Sequence, residues 1–163
     1  MERKMRRKRQ QLSRAETEAV LTRGTSGVLA LTDGEGWPYA VPLSYVYAEG
    51  KLYFHSAREG HKLEAAAACG RASFCVVDQD QVVPQEYTTY FRSAIAFGPI
   101  RVLEGKDETM AALALLAERF NPGDRAGFQR ECGKGLDKLV MLELDVERLT
   151  GKEAIELVRA RQS

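Results

Sequence analysis

Apolar and polar positions along the chain fall into short blocks separated by turn chemistry. Ser26 to Thr32 is an apolar, β-capable run, and Asp33-Gly34-Glu35-Gly36 follows it as a turn. Tyr39 to Tyr47 alternates, with Val41, Leu43, Tyr45 and Tyr47 on one face. Pro38 and Pro42 lie in that segment and cannot donate to a ladder, which predicts an edge or bulged strand. Glu49-Gly50 marks the next turn and Lys51 to Ser56 the next strand. Arg71 to Val77, Tyr90 to Leu103 and Lys138 to Val146 complete the β-capable set, the last one alternating through Val140, Leu142, Leu144 and Val146. Gly98-Pro99 predicts a bend or bulge in the longest of them. Asp78 to Glu86 reads as a loop.

Helical signals sit between these runs. Ser13 and Glu16 form a capping box that predicts a short helix ending at Gly24. The alanine run Ala65 to Ala68 predicts a helix over residues 61–69, stopped by Gly70. Asp107 is the expected cap of an amphipathic helix with Met110, Leu113, Ala117 and Phe120 on one face, ended by Asn121-Pro122-Gly123. Residues 124–133 fit a second short helix, and residues 153–161 a terminal helix or tail. About six closely spaced strands with few helices between them argue against a doubly wound parallel sheet. They predict a mainly β, small antiparallel barrel. A barrel of this size has little interior room, so a cofactor would bind outside it or between subunits.

Composition narrows the class. A chain of 163 residues with 44% apolar and 29% charged residues fits one soluble domain, here residues 13–163, behind a basic arm over residues 1–12. The net charge of +1 gives no reason to expect nucleic acid or membrane as partner. Six of the first nine residues are basic, which suits a solvated tail or an arm that reaches an anion. No apolar region follows those charges as in a signal peptide, and no apolar run has the ~20 residues of a membrane span. Cys69, Cys75 and Cys132 are odd in number and form no Cys-x-x-Cys pair, which suits a reducing cytoplasm and argues against a disulfide framework. With His55 and His61 as the only histidines, no metal site is expected.

Two segments can carry chemistry. His55-Ser56-Ala57-Arg58-Glu59-Gly60-His61-Lys62 joins a strand to a helix whose first turn offers free amides and the positive end of the dipole. Gly60 lets the backbone approach a ligand, and Arg58, His61 and Lys62 add charge within one turn, so the parts of a phosphate cradle are present. The same residues also fit an ordinary strand, turn and helix with surface cations. His55 is either a satisfied barrel histidine or a hydrogen-bond donor beside a ligand. Trp37 to Tyr45 offers an apolar wall and, at its prolines, unpaired backbone groups for a flat aromatic cofactor. It also fits an edge strand guarded by prolines.

Taken in order, Pro38-x-x-Val41-Pro42-Leu43, Leu52-Tyr53-Phe54-His55-Ser56-Ala57-x-x-Gly60-x-Lys62, Arg92-Ser93-Ala94-Ile95-Ala96-Phe97-Gly98-x-x-Arg101 and Leu149-Thr150-Gly151-Lys152 resemble the pyridoxamine 5′-phosphate oxidase-like, FMN-binding split-barrel proteins. The resemblance spans roughly residues 5–153 and is nearest to the nitroimidazole-resistance reductases, whose start Met5-Arg6-Arg7-Lys8 also resembles. It implies a split barrel and a homodimer with FMN at the subunit interface. Val41, Pro42, Leu43 and Ser44 would line the flavin ring, His55 and Ser56 would lie beside the ring and ribityl chain, and His61 and Lys62 would hold the phosphate. Tyr90, Arg92 and Ser93 would approach from a strand, of the same subunit or of its partner. His61 stands where the oxidases carry arginine, and their substrate-binding segment has no counterpart after Thr150, so pyridoxal phosphate synthesis is not expected. The function implied is an FMN-dependent oxidoreductase reducing a small, nitroaromatic-type molecule, with His55 as the candidate catalytic residue. The alternative is a non-catalytic flavin or haem carrier or sensor of the same fold, with haem or a deazaflavin as the other possible cofactors.

Overall fold

The computed structural model describes residues 5–135 and 138–162. Among them, eight strands and five α-helices follow one another as α1 (Arg14–Arg23), β1 (Ser26–Thr32), β2 (Pro38–Ser44), β3 (Val46–Ala48), β4 (Lys51–Ala57), α2 (His61–Cys69), β5 (Arg71–Val83), β6 (Thr88–Val102), α3 (Lys106–Phe120), α4 (Arg125–Gly135), β7 (Leu139–Asp145), β8 (Arg148–Glu153) and α5 (Ile155–Gln162). Every pairing is antiparallel. The strand order is β2-β1-β5-β6-β7-β4-β3, with β8 added on β6. The mainly β antiparallel split barrel expected from the sequence is the fold observed, open rather than closed.

The two ends of that order, β2 and β3, are consecutive in the chain and separated by Tyr45 alone. The segment read as one strand from Tyr39 to Tyr47 is therefore two. Its alternation continues through Tyr45, so periodicity does not reveal that the neighbours change there. Tyr45 is fully buried. Its amide donates to the Thr25 carbonyl at 3.2 Å and its hydroxyl to the Leu21 carbonyl at 2.6 Å. Its ring lies edge-on to Phe74 at 4.9 Å. Leu21 is in the last turn of α1, where carbonyls lack helical partners. Gly24 leaves room for this contact, since a Cβ there would collide with the Tyr45 hydroxyl.

The main core gathers the inward residues of the rolled sheet, among them Leu29, Leu52, Phe54, Phe74, Ala96 and Leu142, with Val20 and Leu21 of α1 and Ala65 and Ala66 of α2. A second cluster forms where α3 lays Ala112 and Leu116 over Val46, Leu103 and Met141. β6 serves both halves of the sheet. It pairs with β8 through Phe97 and with β7 from Ile100. The change falls at Gly98-Pro99, where a Cβ on Gly98 would strike the Asp145 carbonyl. The expected irregularity is thus a change of neighbour.

Other expectations need correction. Asp78 to Glu86 is not a loop, because β5 runs on to Val83 with a register shift between Val77 and Gln79. There it forms a ribbon with β6, and its polar residues concealed the strand because no core fixes an apolar face. Gly105, rather than Asp107, is the N-cap of α3, with Glu108 folding back to accept from the Glu104 and Gly105 amides at 2.9 and 3.1 Å. Lys138 to Val146 is not the last strand, since β8 follows, held by its ladder to β6 despite Gly151 and three charges. Tyr45 and β8 together raise the count from about six strands to eight. Met1 to Lys4 of the basic arm lie outside the described residues. The end of the arm belongs to the fold, with Gln10 and Leu12 buried and the Leu12 amide bonded to the Gly151 carbonyl at 3.0 Å.

Tyr45→Phe removes the donor to a buried carbonyl without changing ring packing. It is expected to lower unfolding stability by about 1–3 kcal/mol, read as a lower urea midpoint at unchanged slope. A midpoint equal to wild type would show that the hydroxyl does not hold the corner.

Candidate functional site

β2 and β4 come into contact at the split, and the pleat decides which candidates reach the outside. On β2, Val41 and Leu43 pack against the main core, whereas Pro42 and Ser44 are exposed. On β4, His55 and Ala57 are exposed, whereas Ser56 is 6% exposed and points inward. Pro42, Ser44 and His55 therefore present side chains to a ligand outside the barrel. Val41 and Leu43 offer it backbone. β2 ladders to β1 alone, so its outer edge keeps unpaired backbone groups, as its prolines predicted.

The groove leads along β2 to the start of α2. Gly60 is the N-cap with φ +127°, a conformation side-chain-bearing residues rarely adopt, and no side chain caps the helix. The amides of His61 and Lys62 are among those a first helical turn leaves without an intrahelical acceptor. His61 is exposed, edge-on to Tyr39 of β2 at 4.4 Å, with its Nε2 3.7 Å from the Asp33 carboxylate. Lys62 is half-buried and has no ion pair among the described residues, and burial lowers its ammonium pKa. A desolvated cation at the positive end of a helix is a demand for an anion. A phosphate supplies what these atoms lack, so this chain's residues fit the phosphate end of a flavin nucleotide.

Ser44 and His55 also form one wall of a cavity of about 760 Å³ roofed by α3 and α4. Leu113, Leu116 and Phe120 of α3 and Phe128 of α4 are among its apolar lining. Sequence reasoning missed this cavity. A helix face carrying Leu113, Ala117 and Phe120 reads from periodicity as core packing, which gives no sign of a ligand. Phe120, at 41% exposed, lines the opening instead of the core.

The third group of candidates does not join the other two within one chain. Arg92 is held by Glu153 at 3.1 Å and Asp78 at 3.3 Å, and the Tyr90 hydroxyl donates to Glu86 at 2.7 Å. Ser93 lies opposite Val77 and Lys152. Ala30, three residues before the Asp33 that His61 approaches, pairs with Ser73 of β5, and Arg71 of β5 pairs with Pro99 of β6. Arg92 is seven residues along β6 from Pro99, a distance of about 23 Å at strand rise.

The model of the pyridoxamine 5′-phosphate oxidase family matches residues 13–153. No curated protein matches. Among solved structures, a candidate 5-nitroimidazole antibiotic resistance protein from Bacteroides thetaiotaomicron is 22% identical, with a TM-score of 0.71 over 88% of this chain and 86% of that one. An FAD-binding protein from Mesorhizobium loti is 26% identical, with a TM-score of 0.62 over 88% of this chain and 96% of its own. The FAD and haem binding protein from Mycobacterium smegmatis is 23% identical, with a TM-score of 0.76 over 94% of this chain and 80% of that one. Among the described residues no helix is long and apolar enough to cross a membrane.

Replacing an unpaired, half-buried cation with an apolar chain of similar length should stabilise the ligand-free protein. Lys62→Met is expected to raise its unfolding stability by roughly 0.5–1 kcal/mol. A loss of stability would mean that the ammonium already has a compensating partner.

Proposed function

The chain belongs to the pyridoxamine 5′-phosphate oxidase family, and from that premise we propose that it is an FMN-binding oxidoreductase acting on a small molecule. The observation that carries this reading is the unpaired Lys62 at the open N-terminus of α2, at the end of a groove whose other side chains are Pro42, Ser44 and His55. In this reading, Lys62, His61 and the first-turn amides hold the phosphate. Pro42, Ser44 and the edge backbone of Val41 and Leu43 bear on the flavin ring. Ser56, buried beneath, keeps β4 in register and His55 outward. When bound, the flavin supplies the electron transfer, and the protein positions it.

His55 is the candidate proton donor. It stands where the groove meets the apolar cavity under α3 and α4, so a substrate in that cavity would lie beside it. Leu113, Phe120 and Phe128 suit a flat, weakly polar electron acceptor of the nitroaromatic type. Tyr90, Arg92 and Ser93 enter the site from a second copy in this reading, because one chain keeps them far from His61. Val28 and Val77, 40% and 61% exposed on the outer face of the sheet, favour such a homodimer. The three cysteines, all free, suit a reducing compartment such as the cytoplasm.

The purified protein, titrated with FMN and scanned in the visible range, is expected to bind about one flavin per chain and to bleach on addition of NADH or NADPH. A Soret band would make haem the ligand, and uptake of a deazaflavin in preference to FMN would also overturn the cofactor. Flavin that binds but accepts no electrons would favour a carrier or sensor. Lys62→Ala is expected to weaken FMN binding by about 1–3 kcal/mol, the scale of a charged hydrogen bond, and unchanged affinity would refute the phosphate placement.

A further inference from the structure

A second cavity, of about 750 Å³, opens on the outer face of β1, β5, β6 and β8 beside the C-terminal end of α2. Thr32, Arg71, Ser73, Phe97 and Arg148 line it, with Glu147 between the two arginines in its wall. Arg148 is the unusual residue. Of the described arginines that are not exposed, Arg92 and Arg119 have acceptors, Arg92 on Asp78 and Glu153 and Arg119 on the Arg23 and Gly24 carbonyls. Arg148 has none. Its guanidinium lies over the Phe97 ring, with the central carbon 3.9 Å from the ring centroid. Its Nε is the one buried side-chain nitrogen or oxygen among the described residues without a hydrogen-bond partner.

Stacking on Phe97 covers one face of the guanidinium, while its N–H groups find no acceptor among the described residues. A half-buried charge whose donors lack acceptors is costly unless something outside the chain accepts from it. The lining shows what would fit. Arg71 is a second guanidinium, largely exposed and held only loosely by Glu147 at 3.4 Å. Thr32 and Ser73 add hydroxyl donors. Glu147 is itself more than half exposed, so the wall keeps a net positive charge. At the carbonyl end of α2, the Gly70 amide bonds to the Ala66 carbonyl and the Ile100 amide to that of Gly70.

We propose that this cavity binds the phosphate or pyrophosphate group of a small molecule, with Arg148 as its principal ligand and Arg71, Thr32 and Ser73 completing the donor set. Tetrahedral oxyanions match a site with two forks and two hydroxyls better than a planar carboxylate does, because more than two donors converge. The site is separate from the α2 cradle. It lies at the opposite end of that helix and on the face of the sheet away from the core.

The test is isothermal titration of inorganic pyrophosphate into the full chain carrying Lys62→Ala, which weakens the α2 cradle, with the further variants built on that background so that their effects are read apart from flavin binding. Saturable binding of about one pyrophosphate per chain is expected. Adding Arg148→Ala should weaken it at least tenfold and Arg71→Ala severalfold, whereas Arg159→Ala, an exposed and unpaired cation on α5, should leave it unchanged. Arg148→Lys keeps the charge without the fork and should fall between, which preserves the test if the alanine variant does not fold. Absence of saturable binding, or equal losses in the Arg148 and Arg159 variants, would overturn the proposal. So would wild-type pyrophosphate affinity together with weakened self-association of Arg148→Ala by sedimentation, which would assign the unpaired donors to a second copy of the chain.

Discussion

The structure turns on the burial of Tyr45 at the point where the chain leaves one end of the rolled sheet and enters the other. β2 and β3 are the outermost strands of the order, yet a single residue links them. A phenol in that place must find an acceptor, because a buried hydroxyl without one is costly. It finds the Leu21 carbonyl at the end of α1. Burial pushes the phenol pKa up, which keeps it a donor. The rest of that helix end is closed by the Gly24 amide on Val20 and by Arg119 of α3 on Arg23 and Gly24. The first helix, the corner and the inserted helix α3 are therefore tied at one place.

From this corner follows the geometry of the candidate site. Because β2 and β3 belong to different ends of the sheet, β2 is left with a free edge, and it meets β4 across the split without a ladder. The outward side chains of the two strands line a groove, and α2, which begins directly after β4, brings its open N-terminus to the end of it. The cavity under α3 and α4 meets the same groove at Ser44 and His55. A ligand with a phosphate, a flat body and an adjoining small molecule finds a matching surface along one line.

The chain pairs most of its partly buried charges. Arg92 has two carboxylates, Glu153 is shared between Arg92 and Arg161, and Glu143 lies between Lys51 and Arg101. The half-buried cations with no acid of their own among the described residues are Lys62, Arg119 on two carbonyls, Arg148 over Phe97 and Lys152 over Phe91, and of these Lys62 and Arg148 line the candidate sites. An unpaired charge that a protein retains against its desolvation cost is a signature of a binding site. The two lie at opposite ends of α2, one beside the groove and the other on the outer face of the sheet.

The sequence by itself determined the elements and their faces. Alternation in β2, β4 and β7, the capping box at Ser13 and Glu16, and the glycine stops at Gly24 and Gly70 all survive in the structure, because each depends on residues within one turn or one strand. The order of His55, Gly60 and Lys62 also marked a strand-to-helix junction, which the structure forms between β4 and α2. Tertiary structure alone decided what those elements face. Val41 and Leu43 turned inward while Pro42 and Ser44 turned outward, because the core lies on one side of β2. The ribbon beyond Val77 and the strand β8 are held by their ladders to β6, and a polar strand supported by a partner far along the chain leaves no periodic mark. Arg92 proved to be held by Asp78 and Glu153, and Arg148 proved to lack a partner. Neither fact can be read from the sequence, because pairing depends on which distant carboxylate folding brings within reach.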